Sequence, residues 1–129
     1  SVTHELLTIV QPSIIINLVG LTSVEICQEQ PHKAYQVNTQ TVENIACWIK
    51  QSNTSCHLIH ISTDQVYDGD GPHDEENITL TNNYALTKYA GEIAAIAVKL
   101  NGVIAKTKPS NGLYSSLFKI PSADSGCSA

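Results

Sequence analysis

Two short apolar runs constrain this chain more than any other feature. Ile14-Ile15-Ile16-Asn17-Leu18-Val19 lies between Pro12 and Gly20, and His57-Leu58-Ile59-His60-Ile61-Ser62 follows well downstream. Each is too short for an ordinary helix; the first is apolar at five of six positions, the pattern of a strand buried on both faces, and the second, with Leu58, Ile59 and Ile61, reads as another core strand. Between them, from His32 to Gln51, Ala34, Val37, Val42, Ile45, Ala46 and Ile49 recur at helical intervals, with Tyr35 and Trp48 on the buried margin. Strands joined through a helix of that length pair in parallel, because a hairpin needs only a tight turn. His4 to Val10 reads as a short helix ended by Pro12, and Gly20 to Gln30 as a loop with a helical turn at Val24 to Gln28. A further helix, capped by Thr81 or Asn82, runs to about Leu100, and Gly102 to Ala105 is a third strand. The expectation is an α/β fold: a parallel sheet with right-handed crossovers.

At 129 residues and 42% hydrophobic, the chain is one domain's worth and can bury a core. Its net charge is −5 and it has no arginine, so it lacks the basic stripe that nucleic-acid binding usually needs. The longest wholly apolar run, Ile93 to Val98, is far too short to span a bilayer. No charged segment followed by an apolar one opens the sequence as a secretory signal. Cys27, Cys47, Cys56 and Cys127 have neither CxxC nor metal-ligand spacing. Read as scattered free thiols, they fit a reducing compartment, hence the cytoplasm, and make the sequons at Asn53 and Asn77 coincidental. His57, His60, His73, Asp74 and Glu75 meet no recognised ligand spacing, so no metal is expected. His60 reads as a core or edge residue with a satisfied ring nitrogen, and Asp74-Glu75-Glu76 as a solvated loop. Gly69-Asp70-Gly71-Pro72 is a turn.

In Asn83-Tyr84-Ala85-Leu86-Thr87-Lys88-Tyr89-Ala90-Gly91-Glu92, a phenol and an ammonium stand four residues apart and share one helix face. A phenol titrates near ~10. A neighbouring Lys⁺ favours the phenolate and brings that proton within reach at neutral pH. The spacing alone is weak: five Tyr and seven Lys in 129 residues give 5 × 7/129, about 0.3, such pairs by chance. A solvated helix face is the simpler reading of a lone pair. Ser62-Thr63-Asp64 at the end of the second strand changes the balance. Ligands of parallel sheets bind outside the carboxyl ends of the strands, where Asn17 to Gly20 and Ser62 to Asp64 both lie. Together these features suggest an oxidoreductase site. For Asn17 two readings stay open, satisfying backbone groups at a strand end or touching a cofactor.

The order of motifs narrows this further. Pro12-Ser13-Ile14-Ile15-Ile16-Asn17 comes first, then Thr22-Ser23-Val24-Glu25 and Glu29-Gln30-Pro31 with Ala34-Tyr35-Gln36-Val37-Asn38. Thr41-Val42-Glu43-Asn44-Ile45-Ala46, Ile61-Ser62-Thr63-Asp64-Gln65-Val66-Tyr67-Asp68-Gly69 and Tyr84 to Glu92 follow. In this order and spacing, from roughly Leu6 to Ala95, the chain resembles the dTDP-4-dehydrorhamnose reductase family of the extended short-chain dehydrogenases. The resemblance implies a Rossmann-like doubly wound parallel sheet and NADPH or NADH as cofactor. It also implies a 4-keto nucleotide sugar as substrate, dTDP-4-dehydrorhamnose being reduced to dTDP-rhamnose. Carried over by position, Tyr84 is the general acid, Lys88 lowers its pKa and bonds the nicotinamide ribose, and Thr63 orients the carbonyl. Asn17, Leu18, Val19, Gly20, Leu21, Asn38 and Ser62 join Tyr84 and Lys88 on the cofactor side, Asn38 by steadying the neighbouring loop. Asp64, Gln65 and Val66 join Thr63 and Tyr84 on the sugar side.

Several departures matter. The 4,6-dehydratase relatives carry Asp-Glu after the Thr, as acid and base; here Gln65 follows Asp64 and cannot ionise, which argues against water elimination. Gln65 also stands where the reductases often carry an aromatic. The family's glycine-rich strand-turn-helix for the pyrophosphate is not found among the seven glycines. Lys106 to Ala129, rich in Ser, Pro, Gly and Lys, does not resemble the family's continuation. The chain also begins at Ser1 and has no methionine. The expectation is an internal piece of a longer protein lacking its N-terminal βαβ unit. Residues 1–105 are then a partial NAD(P)-binding domain and 106–129 a divergent or truncated tail. Such a piece is inactive alone, and the parent, for which a homodimer is an open assembly, is the reductase. The alternative is a non-catalytic dinucleotide-binding subunit resembling the methionine adenosyltransferase regulatory (beta) subunit. The set Thr63, Tyr84 and Lys88 leans against it.

Overall fold

A computed structural model describes residues 1–52, 55–66, 80–97, 103–107 and 118–119. Helix α1 (Val2–Val10) starts at Ser1, whose hydroxyl oxygen accepts the His4 N–H at 3.3 Å. It stops at Gln11, left-handed at φ 48°, just before Pro12. Strand β1 (Ile14–Asn17) follows, then α2 (Val24–Glu29), capped by Ser23 through the Ile26 N–H at 3.2 Å. The helix expected from His32 to Gln51 is present with an unexpected middle. Helix α3 (Pro31–Tyr35), a π-helical turn (Gln36–Gln40) and α4 (Thr41–Ser52) occupy consecutive residues. A π turn takes in extra backbone and rotates the side chains around it, which a 3.6-residue periodicity does not register. Tyr35 is corrected with it: expected on the buried margin, it is 38% exposed and donates to the Glu43 carboxylate at 2.8 Å.

Strand β2 (His57–Thr63) leads into a 3-10 turn (Asp64–Val66). Helix α5 (Asn83–Ala97) is capped by Asn82, whose Oδ1 accepts the Ala85 N–H at 2.8 Å. Strands β3 (Val103–Thr107) and β4 (Phe118–Lys119) complete the described elements. The sheet order is β1-β2-β3-β4. The first three strands are parallel, as the helical connections require, with Ile15 beside Leu58, Asn17 beside His60 and His60 beside Ile104. Strand β4 joins β3 antiparallel. Thus β3 runs past Ala105, and β4 lies in a stretch whose composition carries no period.

The core lies between β2 and the helices α4 and α5. Val42, Ile45, Ala46, Trp48 and Ile49 of α4 pack with Cys56, Leu58 and Ala95, joined by Leu7 of α1 and Ile15 of β1. Trp48 is buried as expected, and its ring N–H donates to Thr8 Oγ1 at 3.1 Å. The reading of β1 as a strand buried on both faces is corrected: Ile14 is 56% and Ile16 60% exposed. Only the Ile15 and Asn17 face turns toward the helix layer, and the strand ends at Asn17 rather than Val19. The reading of four free thiols is corrected too. Cys27 and Cys56 are free and buried, but Cys47 is disulfide-bonded. A pairing made by the fold leaves no signature in cysteine spacing.

Among the described residues, no helix is long and apolar enough to cross a membrane. The turn at Gly69 to Pro72, His73, the acidic run Asp74 to Glu76, both sequons, the helix end at 98–100, Cys127 and most of Lys106 to Ala129 lie outside the described residues. What is described is a partial Rossmann-like layer: a parallel sheet with its crossover helices and an antiparallel edge.

Candidate active site

Two elements carry the predicted catalytic residues: Thr63 ends β2, and Tyr84 and Lys88 lie in the first half of α5. Helix α5 packs on β2, and its 3.6-residue turn places Tyr84 and Lys88 on one face. The Tyr84 ring is held by a small apolar cluster of Cys27 and Ala34, flanked by Leu21 and Val24, and is 6% exposed. Lys88 is 5% exposed, and its ammonium donates to the Ile61 carbonyl of β2 at 2.7 Å. Burial pushes the Lys88 pKa down, against the Glu92 carboxylate one turn further on, which holds it up. Glu92 is itself buried and accepts a hydrogen bond from Ser62. Thr63 is buried at the end of the strand, where its Oγ1 accepts the Gln65 N–H at 3.2 Å and fixes the turn that follows.

The second wall is the loop after β1. Leu18 and Val19 are exposed, and Gly20 comes close to Lys88. A Cβ at Gly20 would stand 3.6 Å from the Lys88 Nζ and 3.7 Å from the Asn38 Oδ1, ordinary contact distances, so Gly20 packs directly beside the ammonium. Asn38, on the π turn, is fully buried and bonds both backbone groups of Leu21, accepting its N–H at 2.7 Å and donating to its carbonyl at 3.1 Å. Asn17 makes the backbone contact that one of its two readings expects: its Oδ1 accepts the Val19 N–H at 3.2 Å, and its Nδ2 lies 3.1 Å from His60 Nδ1.

Lys88, Gly20, Asn38 and Leu21 are therefore linked directly, while Tyr84 shares the Lys88 face of α5 and Thr63 ends the strand to which Lys88 is bonded. Ser62 turns toward α5, and Val66 is fully buried in the turn after Thr63. Sequence reasoning passed over Glu92, although it repeats on Lys88 the same four-residue step that links Lys88 to Tyr84. It also missed Thr87, Thr39 and the Asn17–His60 contact, which depend on neighbours brought by the fold. His60 is in the core as expected, but only one ring nitrogen is satisfied. Its Nε2 is buried without a hydrogen-bond partner. Burial first, then the Lys88 charge, pushes its pKa down to about 3, so the ring is neutral.

Comparison with known proteins identifies the family. Residues 1–116 match the family model described as the RmlD substrate binding domain. The dTDP-4-dehydrorhamnose reductase of Mycolicibacterium smegmatis is 34% identical over 100 residues, covering 73% of this chain and 29% of that protein. The methionine adenosyltransferase 2 subunit beta of Rattus norvegicus is 31% identical over 103 residues, 78% of this chain and 30% of that protein. Among solved structures, the dTDP-4-dehydrorhamnose reductase of Bacillus anthracis in complex with NADP superposes with a TM-score of 0.73. It is 27% identical, over 81% of this chain and 38% of that one. The chain thus spans about a third of the length of the proteins it matches. With residues 1–116 matched, it belongs to the RmlD substrate binding domain family.

Proposed function

We propose that this chain forms part of the active site of an NAD(P)H-dependent reductase of a 4-keto nucleotide sugar, converting dTDP-4-dehydrorhamnose to dTDP-rhamnose. The observation that carries the reading is that Tyr84 and Lys88 share one face of α5, with the Lys88 ammonium bonded to β2 at Ile61, two residues before Thr63, and packed beside Gly20. The exposed Leu18 and Val19, next to Gly20 and the Lys88 ammonium, support a nicotinamide dinucleotide, NADPH or NADH, lying along Leu18 to Leu21. Bound there, the dinucleotide supplies the hydride. Lys88 gives one N–H to Ile61 and keeps two for a ribose hydroxyl. Thr63 uses a lone pair on Gln65, which leaves its own O–H to orient the sugar carbonyl. Tyr84 then gives its phenolic proton to the carbonyl oxygen as negative charge develops there.

Gln65 after Asp64 supports reduction over water elimination, since an amide cannot serve as acid or base. The expected result is that Tyr84→Phe, in a protein that oxidises NADPH with dTDP-4-dehydrorhamnose, lowers turnover by roughly 10²–10⁴. Unchanged turnover excludes Tyr84 as the acid. The 129-residue chain itself has no glycine-rich strand-turn-helix for a pyrophosphate, so by itself it binds NADPH weakly and is inactive. The likeness to methionine adenosyltransferase beta subunits favours a second reading, a dinucleotide-binding regulatory subunit. Thr63, Tyr84 and Lys88 together lean toward the reductase, and dinucleotide oxidation with the keto sugar separates the two.

A further inference from the structure

We propose that Thr87 and Asn38 form a positioning clamp that ties the loop after β1 to the turn of α5 between Tyr84 and Lys88. The inference rests on the proposed reduction for its functional consequence, but its geometry stands independently. Thr87 is buried on α5, three residues after Tyr84 and one before Lys88. Its Oγ1 accepts from the Asn38 Nδ2 at 3.0 Å and turns its own proton toward the carbonyls of Asn83, at 2.8 Å, and Tyr84, at 3.1 Å. Asn38 in turn holds Leu21 by both backbone groups, so its amide has every donor and its acceptor engaged. Thr39 adds a second tie, donating its hydroxyl to the Thr87 carbonyl at 2.7 Å. The two backbones are in close approach nearby: a Cβ on Gly91 would stand 2.6 Å from the Asn38 carbonyl oxygen.

Sealing an interior does not require this arrangement. Replacing both partners of a buried hydrogen bond by apolar groups of the same shape is nearly neutral for stability. Here polar side chains occupy the junction on a π turn, a backbone form concentrated at functional sites. The ends of the clamp are the two walls of the proposed site. One end is the loop on which the dinucleotide lies, and the other is the helical turn that carries the acid and its lysine. Hydride transfer needs reacting atoms within about 3–3.5 Å, and a misplacement of about 1 Å lowers rate on the order of 10²-fold. A network that fixes Leu21 against Tyr84 controls that spacing.

The test compares Thr87→Val, which keeps the shape and removes the hydroxyl, with Thr87→Ser, which keeps the hydroxyl. In this chain, amide exchange at Leu21 is expected to accelerate on the order of tenfold in Thr87→Val and to return near the parent rate in Thr87→Ser. In the NADPH-oxidising protein, Thr87→Val is expected to lower kcat roughly 10- to 100-fold with KM for dTDP-4-dehydrorhamnose within about threefold, and Thr87→Ser to restore it. A merely structural threonine would lower the melting temperature and leave that split flat. Leu21 exchange within twofold of the parent in a folded Thr87→Val overturns the clamp, and faster exchange with unchanged kcat overturns its positioning role. If Thr87→Val does not fold, Thr87→Ala gives the same exchange readout. A parent protein that oxidises no dinucleotide with the keto sugar refutes the reductase reading instead, and the exchange result then decides the clamp by itself.

Discussion

His60 gives this fold an acid sensitivity that can be worked out from one side chain. It is fully buried on β2, held to Asn17 on one ring nitrogen and unpartnered on the other. Burial, with the Lys88 charge from α5 adding to it, pushes the ring from an ordinary 6.5 down to about 3. Between those two values the unfolded chain binds a proton there and the folded chain does not. The His60 contribution is therefore complete above pH 6.5 and is lost as the pH falls toward 3. Each pH unit in that window is worth ~1.4 kcal/mol, so the whole window amounts to ~5 kcal/mol and the step from pH 8 to pH 5 to about 2 kcal/mol. The measurement is urea unfolding followed by the fluorescence of Trp48, the single tryptophan and a core residue, at pH 8 and pH 5. The parent chain is compared with His60→Leu. Carboxylates titrate in both proteins and cancel in the difference. The parent is expected to lose about 2 kcal/mol more than His60→Leu between the two pH values. Equal losses would refute the assignment of a neutral, desolvated ring.

Two further outcomes follow from close contacts and from what the sheet leaves open. Gly91→Ala should destabilise by about 1–3 kcal/mol in thermal or urea unfolding, because the new methyl meets backbone, the Asn38 carbonyl, rather than a movable side chain. A gain in stability, as helix propensity alone favours, would show that α5 and the π turn are further apart. Calorimetric titration of the 129-residue chain with NADPH should show no micromolar binding, and light scattering should show association through the exposed Ile14 and Ile16 of β1. Micromolar binding by a monodisperse monomer would contradict both expectations.

The fold was legible where burial follows a simple period. Val42, Ile45, Ala46 and Ile49 recur as a helix face must, and all four are in the core. The apolar run at Leu58 to Ile61 is a strand, and the helix before it requires a parallel partner. What was not legible depends on where neighbours stand. Ile14 and Ile16 carry the same signal as Ile15, yet only Ile15 packs with the core. A β-branched residue states a preference for burial, and the layers around the strand decide whether it is met. The π turn hid in the same way. Asn38 and Thr39 are polar residues in a helical stretch, which periodicity assigns to the solvent side, but the wider turn brings them inward to Leu21 and Thr87. Tyr35, on the boundary of that turn, faces out to Glu43.

The candidate site divides along the same line. Tyr84 and Lys88 were found by a local rule, since one helical turn fixes their common face whatever surrounds them. Their electrostatic setting is not local. Lys88 is an ammonium inserted where burial disfavours its charge, and the Glu92 carboxylate on the next turn offsets that penalty. Glu92 is buried in turn, and Ser62, facing inward from β2, donates to it. Ser62 and Thr63 are neighbours in the sequence, and the resemblance gives Ser62 to the cofactor and Thr63 to the carbonyl. The strand's alternation separates them, sending Ser62 to the carboxylate behind the lysine and leaving Thr63 to shape the turn in front of it. A lysine on a buried helix face thus needs a second, hidden layer, and that layer is legible only once the strand and helix are docked.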